Sequence, residues 1–177
     1  MEHVETDLYV YCSDSFLLKK LQRLVFIEEA GEQKFSMNQL LPLPSGYSGV
    51  PNYQIYGHHW RRIVWGASQD GTELGKYIDT NRFDVSFTTP RVPALIWFET
   101  FCKMSERLYK DSGIIPKPEL VIFYAYGIFD TRNQGFVFWE PGGKLEIYDT
   151  FQEEWRSILD QVFNDKRFEY YRGETWN

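Results

Sequence analysis

Two arginines lie between two tryptophans in one short run, His59-Trp60-Arg61-Arg62-Ile63-Val64-Trp65-Gly66. A guanidinium is a planar fork of donors that fits a phosphate or carboxylate bidentately, and an aromatic face stacks a nucleobase. The run mixes β-branched and aromatic residues. It reads as a central β-strand with a long loop before it and turn chemistry after it, at Ala67-Ser68-Gln69-Asp70-Gly71. Alternation puts Trp60, Arg62 and Val64 on one face and Arg61, Ile63 and Trp65 on the other. Two readings stand side by side. In one, Trp60 and Trp65 are core residues, the arginine stems lie along the core edge, and their heads reach water or pair with Asp70 or Asp84. In the other, the run is a platform for an anionic or aromatic ligand. Tyr47, Tyr53, Tyr56 and His59 then supply further recognition surfaces, and Thr88 and Thr89, at the end of an adjacent strand, supply hydroxyl donors.

Other chemistries find less support. His58 and His59 are neighbours, so in a strand they point apart and cannot chelate one ion, and His3 lies near the terminus. Without an HxxxH, an HxH or a carboxylate cluster beside them, no metal site is expected. There is no GxSxG, and Cys12, after a strand, and Cys102, on the apolar stripe of a helix, read as core thiols. GxxxxGK[ST] and GxGxxG are also missing. No catalytic residue and no cofactor is expected. An enzyme acting on nucleotides or phosphodiesters, with His58 or His59 as acid or base, remains the alternative.

A chain of 177 residues suits one domain, here 1–177 with an elaboration from about residue 120. With 14 Phe, 12 Tyr and 6 Trp it has ample material for a core. The net charge of −6 disfavours an extended nucleic-acid surface but leaves room for a local basic patch. Two cysteines far apart in sequence, outside any CxxC, fit free thiols in a reducing cytoplasm. The acidic N-terminus has no apolar h-region, and no apolar run reaches the length that crosses a bilayer.

In chain order, Asp7 to Cys12 alternates as a strand. Ser13 or Asp14 then caps a helix whose Leu17, Leu18, Leu21, Leu24 and Val25 share a stripe, with Gly31 past its end. Phe35 to Asn38 is extended, and Ser45 to Gly57, rich in Gly, Ser, Pro and Tyr, is a long loop. Thr72 to Arg82 is weakly patterned. Phe83, Val85 and Phe87 mark a strand that Pro90 stops, and Pro93 opens an amphipathic helix running to about Lys110. A meander follows, over Leu120–Phe129, Gly135–Glu140 and Lys144–Tyr148, with Asp130 to Gln134 as one turn and Glu140-Pro141-Gly142-Gly143 as a type II turn. Thr150 and Glu153 are spaced as a capping box for a helix striped by Trp155, Ile158, Leu159, Val162 and Phe163. Phe168 and Tyr170 suggest a last strand. The fold expected is α+β: a ferredoxin-like split βαβ with helices on one face of a mainly antiparallel sheet, extended by the C-terminal meander and helix.

Three segments resemble a family carried by bacterial plasmids and phages, the YubB-like proteins with a ferredoxin-like domain. Phe35-Ser36-Met37-Asn38 running into Leu41-Pro42-Leu43-Pro44 is similar to its F-x-F-N…I-P-M-P stretch. Trp60, with Trp65-Gly66-Ala67-Ser68-Gln69-Asp70, resembles W-G-T-K-W-D, Gln69 standing where the family has Trp. Phe87-Thr88-Thr89-Pro90, with Pro93, resembles F-x-T-x-W-S-P-P. The resemblance implies a ferredoxin-like fold and a mobile-element or phage context. The expectation is a non-catalytic binding protein, in counter-defence for example, whose partner is a host protein or a small anionic nucleotide. A structural or assembly protein that self-associates through an exposed strand is the other alternative.

Overall fold

The strand β1 (His3–Cys12) is the axis of the structure, paired on both sides. The structure is a computed structural model and describes residues 3–44, 60–66, 70–128, 134–150 and 152–168. After β1 come α1 (Ser15–Gln22), β2 (Phe26–Glu29), β3 (Glu32–Phe35) and α2 (Met37–Leu40), and then a helical turn, α3 (60–64). β4 (Thr72–Ile78), β5 (Arg82–Pro90), α4 (Leu95–Asp111), β6 (Leu120–Ile128), β7 (Gln134–Trp139) and β8 (Ile147–Asp149) follow. The described chain closes with α5 (Trp155–Phe163) and a 3-10 turn at Lys166–Phe168. It is a mixed α and β fold: a six-stranded sheet in the order β4-β5-β1-β6-β7-β8 and a separate β2-β3 hairpin. Every pairing among the described residues is antiparallel.

The sheet is covered unequally. Leu8 and Val10 of β1, Phe83, Val85 and Phe87 of β5, and Ile122 and Tyr124 of β6 pack with Leu17, Leu18 and Leu21 of α1 and with Trp97, Phe98 and Phe101 of α4. The opposite side chains, Tyr9, Val121, Phe123, Ala125 and Phe136, pack with Trp155, Leu159 and Val162 of α5 and with Phe168. β6 is therefore buried on both faces, which is why Leu120 to Tyr126 reads as a continuous apolar run rather than an alternation. α1 and α4 lie on one face as expected, whereas α5 lies on the other. Over β5 that second face has no apolar cover among the described residues: Asp84, Ser86 and Thr88 are half-buried, and Ser86 donates a hydrogen bond to Asp7.

Several expected elements take other forms. The run around Trp60 is helical, with the Trp65 N–H donating to the Arg61 carbonyl at 2.7 Å, and no strand forms there. Burial of Trp65 decides this. Its indole N–H donates to the Leu41 carbonyl at 2.9 Å, and the ring is fully enclosed in the core, so packing overrides the β-propensity of Ile63 and Val64. The strand beside β5 is instead β4, an edge strand exposed along most of its length, which explains its weak pattern. The first helix ends at Gln22. Gly31 is not its terminus but part of the β2-β3 turn, in which Ala30 and Gly31 both have positive φ, 52° and 81°, as a two-residue type I′ hairpin requires. Ser36 to Asn38 enters α2 rather than an extended piece. No capping box forms at Thr150, whose N–H continues the β7-β8 region by donating to the Gln134 carbonyl, and α5 starts at Trp155. Phe168 sits in the 3-10 turn, not in a strand, and Tyr170 lies outside the described residues. The turn at Pro141-Gly142 has the expected form, with the Gly143 N–H donating to the Glu140 carbonyl at 2.9 Å and Gly142 at φ 81°.

Gly71 shows how tightly the α4 side of the sheet is filled. A Cβ there would lie 2.7 Å from the Phe87 ring and 2.9 Å from the Phe35 ring. These two rings stack on each other with centroids 4.3 Å apart. Neither ring can move without disturbing the other, so Gly71→Ala is expected to destabilise the fold by about 1–3 kcal/mol. Urea unfolding followed by Trp fluorescence measures this. A midpoint equal to that of the wild type would contradict it.

Candidate functional site

The Trp/Arg run forms a small cluster at the edge of the core. Trp60 meets Trp65 edge-to-face with centroids 5.9 Å apart, and the Arg61 guanidinium lies 5.3 Å from the Trp65 ring centroid. Arg61 is half-buried, with its Nε buried and without a hydrogen-bond partner among the described residues, and Arg62 is exposed. Among the described residues Asp70 forms no ion pair with an arginine. Its carboxylate accepts from the Ser36 hydroxyl at 2.9 Å and from the backbone N–H groups of Met37 and Gly71 at 2.8 and 2.9 Å, which fastens the start of α2. Thr88 and Thr89, adjacent in β5, point to opposite faces. Thr88 lies on the open polar face, whereas Thr89 is fully buried and its hydroxyl donates to the Val92 carbonyl at 2.7 Å. Of the platform read from the sequence, Trp60 and Arg61 gather around Trp65, Arg62 points outward, and the two threonines are separated. Tyr47, Tyr53, Tyr56, His58 and His59 lie outside the described residues.

A hollow lined by described residues lies elsewhere, on the second face of the sheet, beyond the edge of the α5 cover. It measures about 750 Å³ and is lined by Tyr9, Tyr11, Ser13, Asp79, Asn81, Arg82, Lys117, Glu119, Lys166 and Arg167. The register explains the gathering: Tyr11 pairs with Arg82 across β1 and β5, so the end of β1 and the start of β5 form one wall. The β4-β5 turn forms the next. Asp79 accepts from the N–H groups of Asn81 and Arg82 at 2.9 and 3.0 Å, and the Asn81 amide reaches the Cys12 and Ser13 carbonyls at 3.3 Å. On the far side, the Ser13 hydroxyl accepts from the Glu119 N–H at 2.8 Å, placing Lys117 and Glu119 at the rim.

The 3-10 turn supplies the last wall. The Tyr9 hydroxyl donates to the Arg167 carbonyl, and its ring stacks on Phe168 at 4.9 Å. The Arg167 guanidinium is held by Asp165 at 2.6 Å and Glu140 at 2.7 Å. These bonds push the Arg167 pKa up and hold the Asp165 carboxyl below its usual range. Arg82 lies against Asp79 at 3.4 Å with its guanidinium 4.3 Å from the Tyr77 ring centroid. Lys117 and Lys166 are exposed and form no ion pair among the described residues. Four basic side chains thus line one hollow with Asp79 and Glu119, and Asp165 and Glu140 stand behind Arg167, which leaves Lys117 and Lys166 as the cations without an ion pair among the described residues. The hollow was not visible in the sequence because its basic residues, Arg82, Lys117 and the pair Lys166-Arg167, lie on three separate segments. The signal that was available, alternation of Tyr9 and Tyr11 against Leu8 and Val10, located a strand face but no site.

Among the described residues no three His, Cys, Asp or Glu side chains are grouped to hold a metal ion, and no helix is long and apolar enough to cross a membrane. Cys12 and Cys102 are buried free thiols whose pKa values desolvation raises. No family model matches the chain, and no curated protein or solved structure matches it either.

Burial makes the fold sensitive to alkali. Desolvation raises the Tyr9 hydroxyl from 10.0 to about 12, against the opposing field of Arg82, and raises the Cys12 thiol from 9.0 to about 11. Both groups are neutral in the folded state and ionise earlier when unfolded. Their contribution is therefore complete below pH 9 and is lost as pH rises through 12. The melting temperature should fall across that window. Tyr9→Phe should flatten the fall between pH 10 and 12, at a cost of about 1 kcal/mol at neutral pH from the lost hydrogen bond. An unchanged alkaline slope in Tyr9→Phe would contradict this assignment.

Proposed function

We propose that the protein is a non-catalytic binding protein that holds a small anionic ligand, of the size and chemistry of a mononucleotide, in the hollow beside Tyr9 and Tyr11. The observation that carries this reading is that Lys117 and Lys166, which form no ion pair among the described residues, both line a cavity of about 750 Å³ in an otherwise acidic chain. That volume is within the usual range for small-molecule sites, about 300–1,000 Å³. A net-negative protein repels anions from most of its surface, so two lysines free of ion pairs at one hollow favour anion binding there. Lys117 and Lys166 supply the uncommitted charge, and the half-buried Tyr11 supplies a ring for stacking. Arg82 and Arg167 are already engaged by carboxylates and shape the walls.

On the same reading the four strands β4-β5-β1-β6 form a ferredoxin-like split βαβ. Their order, the antiparallel direction of each neighbour, and helices α1 and α4 following β1 and β5 on one face support it. The site then lies at one end of the face those two helices leave open. The motifs at Phe35, Trp65 and Phe87 favour a plasmid or phage origin, and with it a host molecule as the ligand.

Isothermal titration with AMP, UMP and inorganic phosphate tests this proposal. Mononucleotides should bind more tightly than phosphate, with affinity falling as salt rises, and Lys117→Ala/Lys166→Ala should weaken binding at least tenfold. Absence of heat with all three probes, or unchanged affinity in the double variant, would contradict it.

A further inference from the structure

A second hollow, of about 480 Å³, lies between the last turn of α1, the β2-β3 hairpin and α2. It shares no lining residue with the first. Gln22 is the unusual side chain in it. Gln22 is only 6% exposed, and among the described residues its carboxamide has no hydrogen-bond partner. Nor are the amide atoms sealed away from solvent, so their contact is with the hollow that Gln22 lines. A carboxamide carries two N–H donors and a carbonyl acceptor, and a buried one is ordinarily bonded. The other residues that α1 buries are Leu17, Leu18 and Leu21. Packing alone therefore asks for an apolar side chain at position 22.

The groups around Gln22 define the chemistry. Lys19 and Arg23, one helical turn apart, both line the hollow, are exposed, and form no ion pair among the described residues. Glu28 and Gln33 face each other in the hairpin register and line it from the other side. The Gln39 amide ties α2 to this wall by donating to the Arg23 carbonyl at 3.2 Å. Two cations and one carboxylate leave a surplus of one positive charge, which suits a monoanion better than a phosphate dianion. Phe26 offers no open face for a nucleobase. It is 5% exposed and meets Phe35 and Phe83 edge-on, with centroids 6.5 and 5.6 Å away. In this it differs from the first hollow, where Tyr11 is half-buried.

We propose that this second hollow binds a carboxylate with an amide beside it, the pattern of a polypeptide C-terminus or of an acyl amino acid. The carboxylate meets the Arg23 guanidinium, whose fork fits it bidentately, and Lys19. The neighbouring amide exchanges hydrogen bonds with the Gln22 carboxamide, which supplies both a donor and an acceptor. An aliphatic side chain of the ligand rests on Phe26 and the half-buried Ile27. Capture of a terminal carboxylate by fixed donors is a recurring mode of peptide recognition. The cavity volume is within the range of about 300–1,000 Å³ usual for small ligands. The two hollows use different residues, and the two proposals stand independently.

The test is an NMR titration of the full chain with four probes: N-acetylated alanyl-alanyl-leucine, the same peptide with its C-terminus amidated, N-acetylleucine, and AMP. The free-carboxylate peptide should shift the Gln22 side-chain amide and the backbone amides of Arg23, Ile27 and Gln33. The amidated peptide should not. Tighter binding of the tripeptide than of N-acetylleucine assigns the site to a polypeptide end, and equal binding assigns it to a small acyl amino acid. Gln22→Met keeps the side-chain length and removes the amide. It should weaken binding by about tenfold or more, as should Arg23→Ala. Because the amide has no partner in the free protein, Gln22→Met should leave the urea midpoint equal or higher. Lys117→Ala/Lys166→Ala should leave peptide binding unchanged. No shift with either carboxylate probe, equal shifts with the amidated peptide, or shifts of Gln22 and Arg23 as large with AMP would overturn the proposal. So would wild-type affinity in Gln22→Met, or a lowered midpoint in it, since the amide would then serve the fold.

Discussion

The Tyr9 hydroxyl, bonded to the carbonyl of Arg167 158 residues further along the chain, is the contact on which the second face of the sheet depends. Tyr9 is in the middle of the most central strand and is almost fully buried, so its hydroxyl needs a partner inside the protein. The 3-10 turn provides that partner, and Phe168 provides a ring to stack on it. Arg167 then turns outward into Asp165 and Glu140, tying the turn to the end of β7. The hollow exists because this latch holds the turn at a fixed height above β1 while the β4-β5 turn rises on the other side. Its polar walls follow from the same arrangement, since α5 and Phe168 pack on the apolar side chains of β6 and β7 and, among the described residues, not on the polar ones of β5.

The first face is closed by a different device. Residues 35–41 pass from strand to short helix to irregular chain, and such backbone must find donors and acceptors other than a ladder. The Glu73 carboxylate accepts from the Phe35 N–H, Asp70 from Met37, and the two indoles donate to the Met37 and Leu41 carbonyls. Trp65 and Trp97 therefore act as core residues with a polar end in use, not as an exposed recognition platform. What the Trp/Arg run presents to solvent is the remainder of the helical turn, Arg62 and Ile63, beside the start of α4.

Strands with one apolar face, such as β1 and β5, and the strongly amphipathic α4 were legible because their periodicity records their burial. Misread segments are those where tertiary contacts outweigh local pattern. Leu24 and Val25 continue the helical spacing of α1 and yet belong to the exit from it, because the type I′ turn at Ala30-Gly31 draws β2 and β3 into a hairpin. Ile63 and Val64 have β-propensity, yet burial of Trp65 coils the chain around them. The capping-box spacing at Thr150 yields to β8, which uses that backbone for the sheet. For the hollow, Arg82, Lys117 and the adjacent pair Lys166-Arg167 lie on three segments far apart in sequence, which only the tertiary fold brings together.

The assignment of the anion site to the hollow and not to the Trp/Arg run is tested most directly by backbone amide shifts recorded while AMP is titrated into the full chain. Changes centred on Tyr11, Asn81, Lys117 and Lys166, with 60–66 unaffected, are the expected result. Changes confined to Trp60, Arg61 and Arg62, or no change at any residue at millimolar AMP, would contradict it.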